Sequence, residues 1–169
     1  MPGSLEDRIR VIEDREEISR LRVKYTLFND GGFNGIGTHH DIDALMEMFA
    51  PDAIWDGRPF NRRAEGRDDI RQLMIDFQAT PFVIHNVMNP LIEVNGDTAT
   101  GNWHAIIVAT NENQPLWVFG NYEEDYVRLD GRWKFQNVRF VTAVMAPHQE
   151  GWGKLVAQAG ARADGQTAA

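Results

Sequence analysis

The feature that most constrains this chain is the spacing of turn signals in its second half. Asn95-Gly96, Asn111-Glu112-Asn113 and Asp130-Gly131 each interrupt a run rich in β-branched and aromatic residues. Asn-Gly and Asp-Gly steps between such runs favour tight hairpins, because these residues accept positive φ cheaply. The runs they separate, 82–94, 98–110, 116–129 and 133–146, follow one another directly. Four long strands joined this way predict an antiparallel meander. In the last run Trp133/Phe135 and Val138/Phe140 fall on opposite parities, which predicts a bulge near Gln136 and a bent sheet.

The first half follows a helical period. Leu5, Ile9 and Ile12, then Ile18, Leu21, Tyr25 and Phe28, recur three or four apart with charges between them. Ser4 followed by Asp7 is a start signal. The pattern slips between Ile12 and Ile18, which predicts a break near Asp14, and helix propensity collapses in the Gly/Asn-rich stretch 29–35. A short helix is expected on Ile42, Leu45, Met46 and Phe49, with Asp41 as its N-cap and Ala50-Pro51 as its stop. Ala53-Ile54-Trp55 reads as a short strand, and Ile70, Leu73, Met74 and Phe77 mark a third helix opening after Glu65-Gly66. Three helices before a curved antiparallel sheet make an α+β fold, with the helices on one face enclosing an apolar pocket. A single domain is expected over 1–152, with a frayed Ala/Gly-rich tail over 153–169.

Composition narrows the function. Seventeen Lys and Arg against 25 Asp and Glu give a net charge of −8, which argues against nucleic acid and anionic membrane surfaces as partners. Without cysteine there is no disulfide, thiolate zinc site or Cys nucleophile. Serine occurs only at Ser4 and Ser19, so a serine nucleophile is set aside, and no Walker loop, dinucleotide turn or nucleophile elbow is present. No apolar run reaches the roughly 20 residues of a membrane helix, and the N-terminus is charged where a signal peptide is apolar. A cytoplasmic protein is expected.

His85 interrupts an apolar strand, with Val83 and Val87 as its parity neighbours. It reads either as a buried histidine held by one hydrogen bond or as a general base in a dry pocket. Asp30 ends the first helix, where an acid opposes the helix dipole, and orienting a histidine would account for it. His104 falls in the next strand, on the inner wall or the surface. Tyr25 reads as a core aromatic whose hydroxyl reaches a pocket. Phe28, Trp55, Phe77, Met88, Trp117 and Phe119 are candidate pocket walls, and Asn86, Asn102 and Asn121 candidate polar fixtures. His39-His40-Asp41-x-Asp43 has metal-ligand residue types without metal-site spacing, so no metal is assigned.

Arg15-Glu16-Glu17-Ile18 through Tyr25 and Asp30, LMEMFAPDAIW at 45–55, Glu65-Gly66-Arg67 and GNYEEDYVRLDGRWKF at 120–135 resemble the nuclear transport factor 2-like superfamily, specifically its SnoaL-like polyketide cyclase branch. The resemblance covers roughly 8–147 and implies a cone-shaped fold. In site residues it is nearest to scytalone dehydratase and hexachlorocyclohexane dehydrochlorinase, whose Asp–His pairs match Asp30 and His85. A second dehydratase histidine matches His104, and a tyrosine of bile-acid dehydratases matches Tyr25. The resemblance implies a lyase or isomerase working without a cofactor on an apolar cyclic or polyketide-like small molecule. His85 is then the base, Asp30 its orienting partner, Tyr25 a donor and His104 an acid. An aldol cyclase, a ketosteroid-type isomerase and a non-catalytic binding module stay open. An epoxide hydrolase is disfavoured, because the strands look short of inward acids. A homo-oligomer, dimer or trimer, is implied, and the long segment 31–42 is a candidate lid.

Overall fold

The computed structural model describes residues 4–30, 35, 41–57 and 62–153. The candidate lid lies outside the described residues over 31–34 and 36–40, which include His39 and His40, and so does the expected tail from 154 onward.

Helix α1 (Leu5–Asn29) opens with a reciprocal cap. Ser4 Oγ accepts from the Asp7 amide at 3.1 Å, and the Asp7 carboxylate accepts from the Ser4 amide at 2.9 Å. The helix runs unbroken through Asp14, so the expected break is not there. The slip in the apolar pattern marks a change of face: Leu5, Ile9 and Ile12 are exposed, while Ile18, Arg22 and Tyr25 are buried. Asp14 itself is buried, accepting from Trp133 Nε1 at 3.1 Å and from the Arg128 guanidinium.

Helix α2 (Ile42–Met46) is capped by Asp41, whose Oδ1 accepts from the Ala44 amide at 3.0 Å. It stops before Phe49, which instead begins strand β1 (Phe49–Gly57) together with Ala50 and Pro51. A residue before proline favours extended backbone, and the irregular pairing between Phe49 and Ile54 leaves room for the missing Pro51 amide. Strand β2 (Arg62–Glu65), not foreseen from the sequence, pairs antiparallel with β1 and leads into α3 (Gly66–Phe77).

Strands β3 (Val83–Asn95), β4 (Thr98–Asn111), β5 (Gln114–Leu129) and β6 (Arg132–Pro147) form the expected meander. The sheet order is β2-β1-β6-β5-β4-β3. One pair, β1 with β6, is parallel, so the sheet is mixed rather than wholly antiparallel. The turns follow their chemistry: Glu112/Asn113 and Asp130/Gly131 take positive φ at both positions, as tight type I′ hairpins require. In the first hairpin Asn95 pairs with Thr98, so its loop is Gly96-Asp97, one residue later than the Asn-Gly step implied.

Gln136 is the extra residue of a bulge, since Asp125 faces Asn137 while Tyr126 faces Phe135. A second irregularity sets Phe119 opposite Val144 and Gly120 opposite Thr142. Bulges of this kind bend and twist the strand that carries them. The core under the bend is aromatic, with Tyr25, Phe49 and Phe135 in mutual contact at centroid separations of 5.4–6.0 Å.

Candidate active site

The end of α1 and the edge strand β3 build the site. Asp30 is the C-cap residue of α1, with extended backbone, and its amide donates to Thr26 O at 2.8 Å. Its carboxylate sits at the helix end that the dipole makes least hospitable to an anion. Strand β3 supplies the compensation. Among the described strands it pairs only with β4, so the His85 amide on its other side donates to both Asp30 oxygens, at 3.0 and 3.1 Å. His85 Nδ1 lies 2.5 Å from Asp30 Oδ1. The Asp30 side chain is 3% exposed and that of His85 10%, so this charge-assisted contact is shielded from water.

His85 faces a cavity of about 730 Å³ between the helices and the concave side of the sheet. Tyr25, Trp55, Phe77 and Val83 line it beside His85, and Ile107, Leu116, Val118, Tyr122, Phe140 and Met145 line the strand side. Trp55 and Phe77 meet edge to face at 5.3 Å, and Trp55 Nε1 donates to the Tyr25 hydroxyl at 3.1 Å. Polar residues, among them Asn29, Arg62, Asp76, Gln78, Asn111 and Glu112, make up another part of the wall. Burial pushes the Tyr25 and Tyr122 phenols up, so both stay protonated at neutral pH.

Other expected residues stand elsewhere. His104 is exposed on the convex face, where Asn89 Nδ2 meets its Nδ1 at 3.0 Å. The reason is parity: Trp103, Ala105 and Ile107 face inward on β4, so His104 points away from the His85 wall. Asn102 and Asn121 are likewise exposed on the far side, whereas Asn86, also exposed, borders a smaller cavity beside His85. Trp117 and Phe119 alternate with inward Val118 and Gly120; on the outside Trp117 stacks with Phe119 and His148 at 6.0 and 5.7 Å, and both meet Trp152 edge to face at 6.3 and 5.1 Å. Phe28 packs against the core rather than lining the large cavity. Met88 lines a smaller cavity of about 280 Å³ that also touches His85, with Arg22, Thr26, Val87 and Trp103.

The sequence reading missed a buried polar chain beneath the site. Arg22 Nη1 lies 3.0 Å from Glu124 Oε1, with side chains 1% and 0% exposed. The Arg22 guanidinium stacks over the Tyr122 ring at 3.7 Å and reaches the Tyr25 ring at 4.7 Å. Tyr126 donates its hydroxyl proton to Glu124 and accepts from Trp103 Nε1 at 3.1 Å. Burial pushes the Glu124 carboxyl up, against the pull of Arg22. The expectation that the strands lack inward acids therefore fails at Glu124, though that acid is tied to Arg22 and Tyr126 rather than lining either cavity. The signal was present: Ile18, Arg22 and Tyr25 are in helical phase, and Tyr122, Glu124 and Tyr126 share one strand parity.

The SnoaL-like domain model matches residues 10–139. The chain belongs to the SnoaL-like family. This membership places it in the nuclear transport factor 2-like superfamily, whose helix-on-curved-sheet fold it has. Among solved structures, this SnoaL-like chain is similar to a candidate scytalone dehydratase from Novosphingobium aromaticivorans (22% identity, 82% of this chain and 89% of that one, TM-score 0.68). It is similar also to hexachlorocyclohexane dehydrochlorinase LinA-type3 from Novosphingobium barchaimii (19%, 83% and 93%, TM-score 0.70). A further likeness is to an NTF2-like protein with a cystatin-like fold from N. aromaticivorans (23%, 85% and 92%, TM-score 0.69). No curated protein matches it significantly.

Proposed function

We propose that this SnoaL-like protein is a lyase or isomerase that takes a proton from an apolar cyclic or polyketide-like small molecule, using its own side chains and no cofactor. The observation that carries the reading is the 2.5 Å contact between His85 Nδ1 and Asp30 Oδ1 at the wall of a large cavity. With Nδ1 engaged by the carboxylate, the second ring nitrogen is the base, and Asp30 stabilises the imidazolium that results. The Tyr25 oxygen already accepts from Trp55, so its proton is the one to be donated to a substrate carbonyl or leaving oxygen. Tyr122, also neutral and lining the cavity, is a second donor. Departure of the leaving group completes an elimination, and return of the proton at another carbon gives an isomerisation. Dehydratase and dehydrochlorinase descriptions among the similar structures support elimination as the first chemistry to test. His104 takes no part, because it stands on the opposite face of the sheet.

The test is a panel of cyclic carbonyl compounds carrying a hydroxyl or halide β to the carbonyl, followed by the absorbance of the conjugated product. His85→Ala and Asp30→Asn are each expected to lower turnover by about 10²–10⁴-fold while ligand affinity holds. A wild-type protein that binds panel members without turning them over would make this a binding module instead. Equal rates in wild type and His85→Ala would refute the assigned base.

The same reading takes the protein to be a cytoplasmic homo-oligomer. A cysteine-free chain fits a reducing compartment, and exposed apolar side chains on α1 support assembly.

A further inference from the structure

Helix α1 is apolar on two sides. Successive helical residues turn by about 100°, which places Ile18, Arg22 and Tyr25 together on the side buried against the sheet. The same count gathers Leu5, Ile9, Ile12, Val23 and Leu27 into a second stripe, roughly opposite the first. These five are 65%, 46%, 66%, 55% and 52% exposed. The stripe is interrupted at its middle by Glu16 and Arg20, an ion pair at 3.0 Å whose side chains are 60% and 70% exposed.

We infer that this stripe is the interface of a two-fold homodimer in which α1 packs antiparallel on α1 of a second copy. The inference rests on the proposed self-assembly and not on the proposed reaction. Its order, apolar then charged then apolar, is self-complementary on reversal. A two-fold axis at the level of Ile18 sets Ile9 against Leu27 of the partner subunit and Ile12 beside Val23 of the partner subunit. It also sets Glu16 against Arg20 of the partner subunit, and the symmetric contact repeats this, so four charges alternate in sign across the axis. Each patch meets its own copy, as an isologous contact requires. From Leu5 to Leu27 the stripe is about 33 Å long at 1.5 Å per residue. Two helices in contact over that length bury area of the same order as the roughly 800 Å² per partner of a standard interface. An anionic lipid surface is the poorer occupant, since the chain carries a net charge of −8.

The test is sedimentation of the full chain and of Glu16→Arg, Arg20→Glu and Leu27→Glu across a concentration series, with circular dichroism to verify folding. Wild type is expected as a dimer, and each variant to raise the dimer dissociation constant at least tenfold with an unchanged spectrum. Mixing Glu16→Arg with Arg20→Glu is expected to restore near wild-type affinity, because each mutated charge then faces its opposite in both symmetric contacts. A wild-type monomer overturns both the dimer and the proposed assembly. A wild-type oligomer indifferent to all three substitutions leaves the assembly standing but overturns this surface in favour of another, such as the outer aromatic cluster around Trp117. Weakening by each charge variant without rescue on mixing overturns the antiparallel pairing.

Discussion

Glu124→Gln is a sharp test of the buried polar chain, because it changes a charge and almost no volume. In the native protein Arg22 Nη1 lies 3.0 Å from Glu124 Oε1, and both side chains are essentially without solvent. Among the described residues the Arg22 nitrogens have no partner in good hydrogen-bond geometry, so charge and the two tyrosine faces hold the guanidinium in place. Removing the charge partner of a buried ion costs about 3–5 kcal/mol. The lower end is expected here, about 3 kcal/mol, because the stack on Tyr122 persists and desolvated cation–π contacts contribute up to about 2 kcal/mol. Glutamine also keeps an acceptor for the Tyr126 hydroxyl. In urea at pH 7, with a slope of roughly 2 kcal/mol per molar, the unfolding midpoint should fall by about 1.5 M. Arg22→Met combined with Glu124→Gln removes both charges and should return to within about 1 kcal/mol of wild type, since poorly hydrogen-bonded buried pairs recover little of their desolvation cost. A Glu124→Gln loss below about 1 kcal/mol, or a double variant whose loss equals the sum of the singles, would refute the reasoning.

Two further expectations concern the sheet and the first helix turn. A Cβ at Gly120 would meet Val141 O at 2.4 Å and the Phe140 ring at 2.8 Å, so Gly120→Ala should destabilise by about 1–3 kcal/mol. Gly131→Ala meets nothing within 4 Å but is held at φ +72°, and should cost about 1–2 kcal/mol; equal melting temperatures for Gly120→Ala and wild type would contradict the close contact. The Asp7 carboxyl is held below its ordinary 3.8 by hydrogen bonds from the Ser4 side chain and amide. Its contribution to the α1 start is therefore complete above pH 3.8 and lost as pH falls through the depressed folded value. An NMR titration should show this midpoint below 3.8 and its rise toward 3.8 in Ser4→Ala, and an unchanged midpoint in that variant would exclude the cap as the cause.

Much of the fold was legible because its signals are local. The turns at Asn111-Glu112-Asn113 and Asp130-Gly131 need residues that tolerate positive φ, and the bulge at Gln136 shows as a parity switch within one strand. The facing of Trp117 and Phe119 was not legible, because the stretch 116–119 is apolar on both parities and only pairing with β4 and β6 decides which side is concave. His104 could have been placed by counting from its inward neighbours Trp103 and Ala105, whose alternation excludes it from the inner face. The parallel pairing of β1 with β6 leaves no mark on periodicity, since it joins segments some 80 residues apart in sequence. Asp30 and His85 were each notable alone, but their meeting depends on a contact across 55 positions that no local pattern encodes.

Asp30 grips β3 twice, once by the imidazole and once by the main-chain amide of the same residue. The second hold survives any residue but proline at position 85, since every other residue keeps the amide donor. The anion is thus moored to the scaffold, and position 85 works as a socket: a side chain installed there inherits a carboxylate at its root and a cavity ahead of it. A substitution at position 85 therefore changes the group that faces the cavity and leaves the amide's hold on the carboxylate in place.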